Sequence, residues 1–368
     1  MHTSTTARFF RNFDFILLGV IILLIAFGVM MIASATRDVA SLADRVNSQV
    51  LYGLVGVAVV FVVAAIDYRL LTSTWLWIYG IIVLLLAVVG LLGTEGEAGA
   101  QSWVNLGVAG FQPSELAKML LIIVLAQQLA NSADRIEHLG TVLKSLAFVA
   151  VPVFFIFIQP DLGISILVLV TWFVMVWGAG MRWQHIWLFA VATIVMLPIL
   201  WSQMEDYQRA RISTFINLEA DPDAAFNIRQ AITAIGNGGL LGRGYMQGTQ
   251  SQLRYLRVRH TDFIFAVIAE ELGFVGAIMV LVLIGIAVLR IVRAAQLSHD
   301  LAGMLICYGV ATVIFFQTLV SVGMNLRLLP VTGLTLPFVS SGGSSLVTLL
   351  FGIGLVESVL MRRNPREW

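Results

Sequence analysis

Residues 15–34 read FILLGVIILLIAFGVMMIAS, a run of twenty without one ionisable side chain. At 1.5 Å per residue, a helix of that length covers about 30 Å, the thickness of a bilayer's hydrocarbon core. Nine more apolar runs follow, at roughly 50–66, 75–93, 115–130, 142–158, 162–179, 183–201, 262–290, 302–324 and 341–361. The expected fold is an all-α integral membrane protein of ten transmembrane helices, one polytopic domain over 1–368. The fourth run is the least regular, because Glu115 and Lys118 stand in its first turns.

Composition agrees. Of 368 residues, 59% are hydrophobic and 12% charged, about half the charged fraction of a soluble domain. Net charge is +1 without a basic cluster, so no nucleic-acid partner is expected. The single cysteine, Cys307, rules out an internal disulfide and a cysteine-based metal site. Met1–Asp14 carries Arg8 and Arg11 but no A-x-A-like cleavage site, so it reads as the lead into a retained helix.

Orientation follows from basic residues in short loops. With both termini cytoplasmic, the inner segments hold eleven: Arg8, Arg11, Arg69, Arg135, Lys144, Arg182, Arg290, Arg293, Arg362, Arg363 and Arg366. The short outer loops hold three, Arg37, Arg45 and Arg327. Residues 202–261 then form a large extracytoplasmic loop between helices 7 and 8. Its seven arginines do not count against this, because long loops translocate largely regardless of charge. Within it, FNIRQAITAI (226–235) reads as an amphipathic surface helix with Ile228, Ile232 and Ile235 on one face. No internal repeat is visible, which disfavours an inverted-repeat transporter.

Ionisable groups inside membrane spans are costly and mark sites. Glu115 and Lys118 are three apart and share a helix face, either as a simple pair or with Lys118 offered to a buried anion. Asp161 sits at a tight turn, placed to cap the sixth helix and also to meet Lys118. Glu270 and Glu271 point about 100° apart, so two different partners are expected for them. Asp262 stands where the outer loop meets the eighth helix. It reads either as that helix's N-cap, a role open to Thr261 as well, or as a general base beside low-dielectric surroundings. His260 is a second candidate base. No cluster has metal-ligand spacing, so no tightly bound cofactor is expected; a loosely held Mg²⁺ or Mn²⁺ on carboxylate and phosphate leaves no motif.

Seven stretches together resemble the SEDS family (shape, elongation, division and sporulation), and within it the RodA branch. They are FQPSELAK (111–118), QPDLG (159–163), DYQRAR (206–211), AIGNGGLLGRGY (234–245), GTQSQL (248–253), HTDFIFAVIAEELG (260–273) and LPFVSSGGSSL (336–346). They keep the family's order over nearly the whole chain, and GTQSQL favours a RodA-like over an FtsW-like member. The resemblance implies a peptidoglycan glycosyltransferase that polymerises lipid II at the outer face of a bacterial plasma membrane. A class B penicillin-binding protein is the implied partner. The family's catalytic aspartate falls on Asp262, and its polar cavity residues fall on Glu115, Lys118 and Asp161. Arg209, Arg211, Arg243 and Lys118 are the candidate cations for a departing diphosphate, with His260 nearby. SSGGSSL is expected to allow close helix packing. Three departures from the family stand out: Arg257–Val258 replaces Pro-Glu, Arg243 replaces lysine, and Ile164 replaces threonine. The rival readings are a lipid flippase and a non-catalytic scaffold.

Overall fold

The computed structural model describes residues 12–37, 42, 44–92, 104–105, 110–159, 161–217, 221–253, 255–256 and 258–363. The basic residues Arg8, Arg11, Arg254, Arg257 and Arg366 lie outside these. The first half comprises α1 (Phe15–Ala35), α2 (Asp44–Ala65), the short α3 (Tyr68–Ser73), α4 (Trp75–Leu92), α5 (Pro113–Ala130), α6 (Leu139–Ile158), α7 (Leu162–Gly178) and α8 (Trp183–Gln203). There follow α9 (Asp206–Ile216), α10 (Pro222–Gly238), α11 (Thr249–Gln252), α12 (Ile264–Gln296), α13 (Leu301–Asn325) and α14 (Gly343–Met361). Between α4 and α5 lies a two-stranded antiparallel ribbon, β1 (Val104–Asn105) with β2 (Gly110–Phe111), pairing Val104 with Phe111. The sequence reading had no place for it.

Among the described residues, α1, α2, α5, α6, α12, α13 and α14 are long and apolar enough to cross a membrane, and α4, α7 and α8 are shorter apolar helices. The chain is therefore a multi-pass membrane protein. Each expected apolar run coincides with one of these helices, usually to within a few residues.

The helix starts follow capping chemistry. Asp14 accepts from the Ile16 and Leu17 N–H groups, Asp161 from Ile164 and Asp300 from Gly303, each meeting orphan donors of a first turn. The helices α2 and α14 pack closely because glycines remove side-chain bulk. A Cβ at Gly56 would sit 2.1 Å from Leu350 Cδ1, and one at Gly354 would sit 2.8 Å from Val63 Cβ. By contrast α8 exposes apolar side chains on every face, among them Trp187, Ile194 and Ile199, the pattern of a helix surrounded by lipid.

At the end of the bundle away from Asp262, the buried Glu357 accepts from the Asp14 N–H at 2.9 Å, and Arg290 meets the Asp14 carboxylate at 2.7 Å. These contacts tie α14, α1 and α12 together. Glu357 was not among the acids singled out in the sequence.

Candidate functional site

The turn at 258–263 delivers Asp262. The Val258 carbonyl accepts from the Thr261 and Phe263 N–H groups at 3.2 and 3.4 Å, closing it. Val258 takes a φ of 51°, a left-handed conformation that a β-branched residue resists. Arg259 is buried, and its Nε donates to the carbonyl of Ala35, the last residue of α1. Cations suit that position, because the final carbonyls of a helix carry partial negative charge.

Three consecutive carbonyls of this turn are then gripped from outside. The Ser341 N–H donates to His260 O at 2.9 Å, Ser340 Oγ to Thr261 O at 2.8 Å, and Asn325 Nδ2 to Asp262 O at 2.9 Å. Ser340 Oγ also accepts from the Leu336 N–H, so the 336–341 loop holds itself and the turn together. Backbone fixed in this way leaves Asp262 partly open, whereas His260 is buried.

The expected N-cap role goes elsewhere. Helix α12 begins at Ile264 with Phe263 in the cap position and no side-chain cap there. The Ala266 N–H is met by Asn325 Oδ1 at 3.1 Å. One buried amide at the end of α13 therefore serves the first turn of α12 and anchors Asp262.

A second group gathers at the start of α5. Pro113 occupies the first helical turn, where its missing N–H costs nothing. Glu115 and Lys118 are buried and pair at 2.5 Å, so the intrahelical pair forms. Thr348 of α14 donates to Glu115 at 3.4 Å. Asp161 caps α7 as expected, but its second oxygen accepts from Gln112 Nε2 at 3.1 Å, and Lys118 reaches it only through space. Burial pushes the Asp161 carboxyl up to about 6. The Ile164 N–H draws it down, the Glu115 charge adds to the rise, and Lys118 and Arg211 oppose it. Arg211 thus belongs to this group, and its Nη1 lies 3.9 Å from where a side chain at Gly333 would start.

The stretch from Ser340 to Thr348 joins the two groups. Ser340 and Ser341 hold the Asp262 turn, while Ser344 Oγ accepts from the Gln112 N–H at 3.2 Å and Thr348 meets Glu115. Gln49 of α2 braces it, donating to Ser340 O and accepting from the Gly342 N–H. Glycine matters here at one point: a Cβ at Gly343 would fall 2.3 Å from the Tyr52 ring. The serines hold the site while that glycine allows the approach. Asn325, Ser340, Ser341, Ser344, Gln112 and Gln49 were not singled out as site residues: Gln112 and the three serines lie within FQPSELAK and LPFVSSGGSSL, and nothing in the sequence marks Asn325 or Gln49.

Helix α12 breaks at Gly273, with φ 68° and ψ −166°. The glycine-rich loop supplies the hydrogen bonds that the break removes. The Arg243 and Gly244 N–H groups donate to Glu270 O and Glu271 O, both at 2.9 Å, and Phe274 and Val275 donate to Gly239 O and Leu240 O. A Cβ at Gly242 would lie 2.2 Å from Glu271 O, and one at Gly238 would lie 1.8 Å from Ala269 O. Helix α10 meets α12 through Ala225, Ile228, Ala231 and Ala234, all buried, while Ile232 points away. The buried stripe thus mixes alanines with Ile228, and Ile235 packs half-buried against the core; of the expected isoleucine face, Ile232 alone is turned outward.

Glu270 and Glu271 diverge around α12 yet grip one segment, because that segment wraps them. Glu270 accepts from Thr249 Oγ1, Gln250 N–H and Ser251 N–H; Glu271 accepts from Met246 N–H at 3.0 Å and from Ser34 Oγ of α1 at 2.5 Å. The expectation of two separate partners is corrected by this geometry. The remaining candidates stay local. Arg209 donates to Trp201 O and Ser202 O and faces Asp206 at 3.6 Å, and Arg243 Nε donates to Asn237 O at 3.0 Å. Among the described residues, no group of three or more His, Cys, Asp or Glu could hold a metal ion.

A helical membrane bundle with a buried ion pair, a raised carboxyl and a partly open aspartate at one end defines a polytopic protein with a polar site at its rim. Residues 14–365 match the family of FtsW, RodA and SpoVE proteins, described as "Cell cycle protein", and the chain belongs to that SEDS family. It is 36% identical over 357 residues to "Peptidoglycan glycosyltransferase MrdB" of Escherichia coli K12, covering 96% of this chain and 95% of the relative. It is 34% identical to "Probable peptidoglycan glycosyltransferase FtsW" of Geobacter sulfurreducens, covering 98% and 99%. Among solved structures, one of a peptidoglycan synthase complex, described as coordinating polymerization and crosslinking, superimposes with a TM-score of 0.81 at 32% identity, covering 95% of this chain and 97% of that one. The crystal structure of Thermus thermophilus rod shape determining protein RodA superimposes with a TM-score of 0.72 at 30% identity, covering 95% and 97%.

Proposed function

We propose that this chain is a peptidoglycan glycosyltransferase that polymerises lipid II at the outer face of the bacterial plasma membrane, for cell elongation and rod shape. In this reading ten helices cross the bilayer, both termini are cytoplasmic, and residues 202–261 lie outside. The excess of basic residues in the short inner loops supports that orientation. The observation that carries the chemistry is the fixing of three successive carbonyls, 260 to 262, which holds Asp262 partly open at the membrane rim.

Asp262 acts as the general base. It takes the proton of an acceptor sugar's 4-hydroxyl as that oxygen attacks the anomeric carbon of the donor. The C–O bond to the lipid diphosphate breaks, and its electron pair leaves with the diphosphate. His260 is the weaker candidate base, since its ring is buried. Arg211 and Lys118 face the leaving group, whose growing charge they stabilise. Glu115 and Asp161 hold Lys118 and the mouth of α7 in place and belong to the substrate-binding cavity. Arg209 and Arg243 act through the loop backbone they brace. A divalent ion such as Mg²⁺ or Mn²⁺ fits as substrate-borne: the diphosphate supplies most of its oxygen ligands, and it would neutralise leaving-group charge. The partner is a class B penicillin-binding protein, which crosslinks the glycan.

The test is polymerisation of purified lipid II by the purified protein, alone and with its transpeptidase, with and without Mg²⁺ or Mn²⁺. Glycan product that disappears in Asp262→Ala, with folding intact, supports the assignment. A folded Asp262→Ala protein polymerising at the normal rate removes Asp262 from the mechanism. No product from either protein redirects the reading to a lipid flippase or a scaffold.

A further inference from the structure

Helix α5 begins at the site, with Glu115 in its first turn, and Gln128 comes thirteen residues later, roughly 20 Å further along. At that far end α4, the turn after α5 and the start of α6 enclose a cleft of about 410 Å³. Its walls include Trp75, Gln128, Ser132, Asp134, Arg135 and Lys144. Gln128 is 3% exposed, and neither its amide oxygen nor its amide nitrogen has a hydrogen-bond partner among the described residues. Buried polar groups are nearly always satisfied, so an amide open at both atoms on a cleft wall points to something that enters. Arg135 and Lys144 form no ion pair among the described residues, although Arg182 close by is paired with Glu137. Two cations against Asp134 leave the cleft positive.

The surroundings belong to a membrane interface. Trp75 is an amphipathic ring of the kind found at head-group level, and Leu76 and Leu143, next to the cleft in sequence, are exposed apolar side chains. We propose that this cleft is a binding site for the headgroup of an anionic glycerophospholipid. The phosphate lies against Arg135 and Lys144. A headgroup hydroxyl donates to the Gln128 amide oxygen and accepts from its nitrogen. The acyl chains run past Leu76 and Leu143 into the bilayer. Basic pockets between membrane helices are suited to such headgroups, because the phosphate charge meets cations at the level where the lipid already sits.

The experiment is native mass spectrometry of the full chain in detergent with phosphatidylglycerol, phosphatidylethanolamine, phosphatidylcholine or phosphatidylmethanol of matched acyl chains, and separately with glycerol 3-phosphate. Phosphatidylglycerol is expected to be retained at least tenfold better than phosphatidylcholine. Arg135→Gln with Lys144→Gln, both exposed and tolerant of change, should abolish that preference. Gln128→Leu should leave anion binding in place but erase the advantage of phosphatidylglycerol over phosphatidylmethanol, which has the phosphate without the hydroxyl. Equal retention of phosphatidylglycerol and phosphatidylcholine overturns the proposal. So does stronger retention of phosphatidylethanolamine, with Asp134 then taking its ammonium. Unchanged binding in the double variant, or glycerol 3-phosphate binding as tightly as the lipid, overturns it as well.

Discussion

Replacing Asn325 with leucine tests whether the end of α13 positions Asp262. The amide is fully buried and makes three bonds: Nδ2 to Asp262 O at 2.9 Å and to Ser321 O at 2.7 Å, and Oδ1 from Ala266 N–H at 3.1 Å. Leucine has a similar volume, so no large cavity opens. The Ser321 carbonyl keeps its place in the α13 ladder and the Ala266 N–H keeps its bond to Phe263 O at 3.1 Å, whereas the Asp262 carbonyl loses a side-chain donor that nothing nearby replaces. One unsatisfied buried group puts the loss of stability at about 1–3 kcal/mol. The larger effect falls on rate. With one of its three carbonyl anchors gone, the 260–262 segment is free to shift, and a displacement of about 1 Å can lower a rate some 100-fold. Asn325→Leu should therefore melt at lower temperature, bind lipid II with little change and polymerise it ten- to a hundredfold more slowly at saturation, with Asp262→Ala as the floor. An Asn325→Leu protein that melts with the wild type and polymerises within twofold of it would refute the positioning role.

The remaining predictions concern the loop and the second group. Gly242→Ala should be strongly destabilising, by about 2–5 kcal/mol, since its φ is 81° and its Cβ would strike Glu271 O. Gly239→Ala meets nothing within 4 Å and suffers only its φ of 55°, about 1 kcal/mol; equal melting of the two variants would contradict the packing account. Glu270→Gln weakens three bonds to α11, so amide exchange at Gln250 and Ser251 should accelerate without loss of the bundle, and unchanged protection would show that Glu270 does not hold α11. Asp161, with its carboxyl pushed up to about 6, binds its proton more tightly folded than unfolded. Its contribution is complete below the unfolded value near 4 and lost as pH rises through about 6. Asp161→Asn keeps a capping oxygen but cannot titrate, so its melting temperature relative to the wild type should climb from pH 4.5 to 7. A difference constant across that range would exclude the effect.

What was legible in the sequence is what lipid enforces. A bilayer accepts only long apolar runs, so the helices could be read from hydropathy alone, and caps such as Asp161 could be read from residue type and position. The glycine-rich loop was legible as glycine-rich but not as a splice. Its purpose is fixed by a break at Gly273, about thirty residues later, whose orphaned carbonyls it satisfies. No local rule connects two such segments. The same holds for Asn325, an amide at the end of an apolar helix that gains its meaning only because the start of α12 lies against it.

The paired glutamates give the reason in its plainest form. Helical periodicity fixes the angle between neighbouring side chains, and from that angle two partners were expected for Glu270 and Glu271. Periodicity describes the helix, not what surrounds it. A segment that curves around the helix can meet both side chains, and residues 246–252 do so while Ser34 closes the far side. A buried acid's partner is thus set by the path of a distant chain. Sequence alone can locate the need for a partner, because an acid in an apolar helix must be satisfied, but only the fold supplies which one.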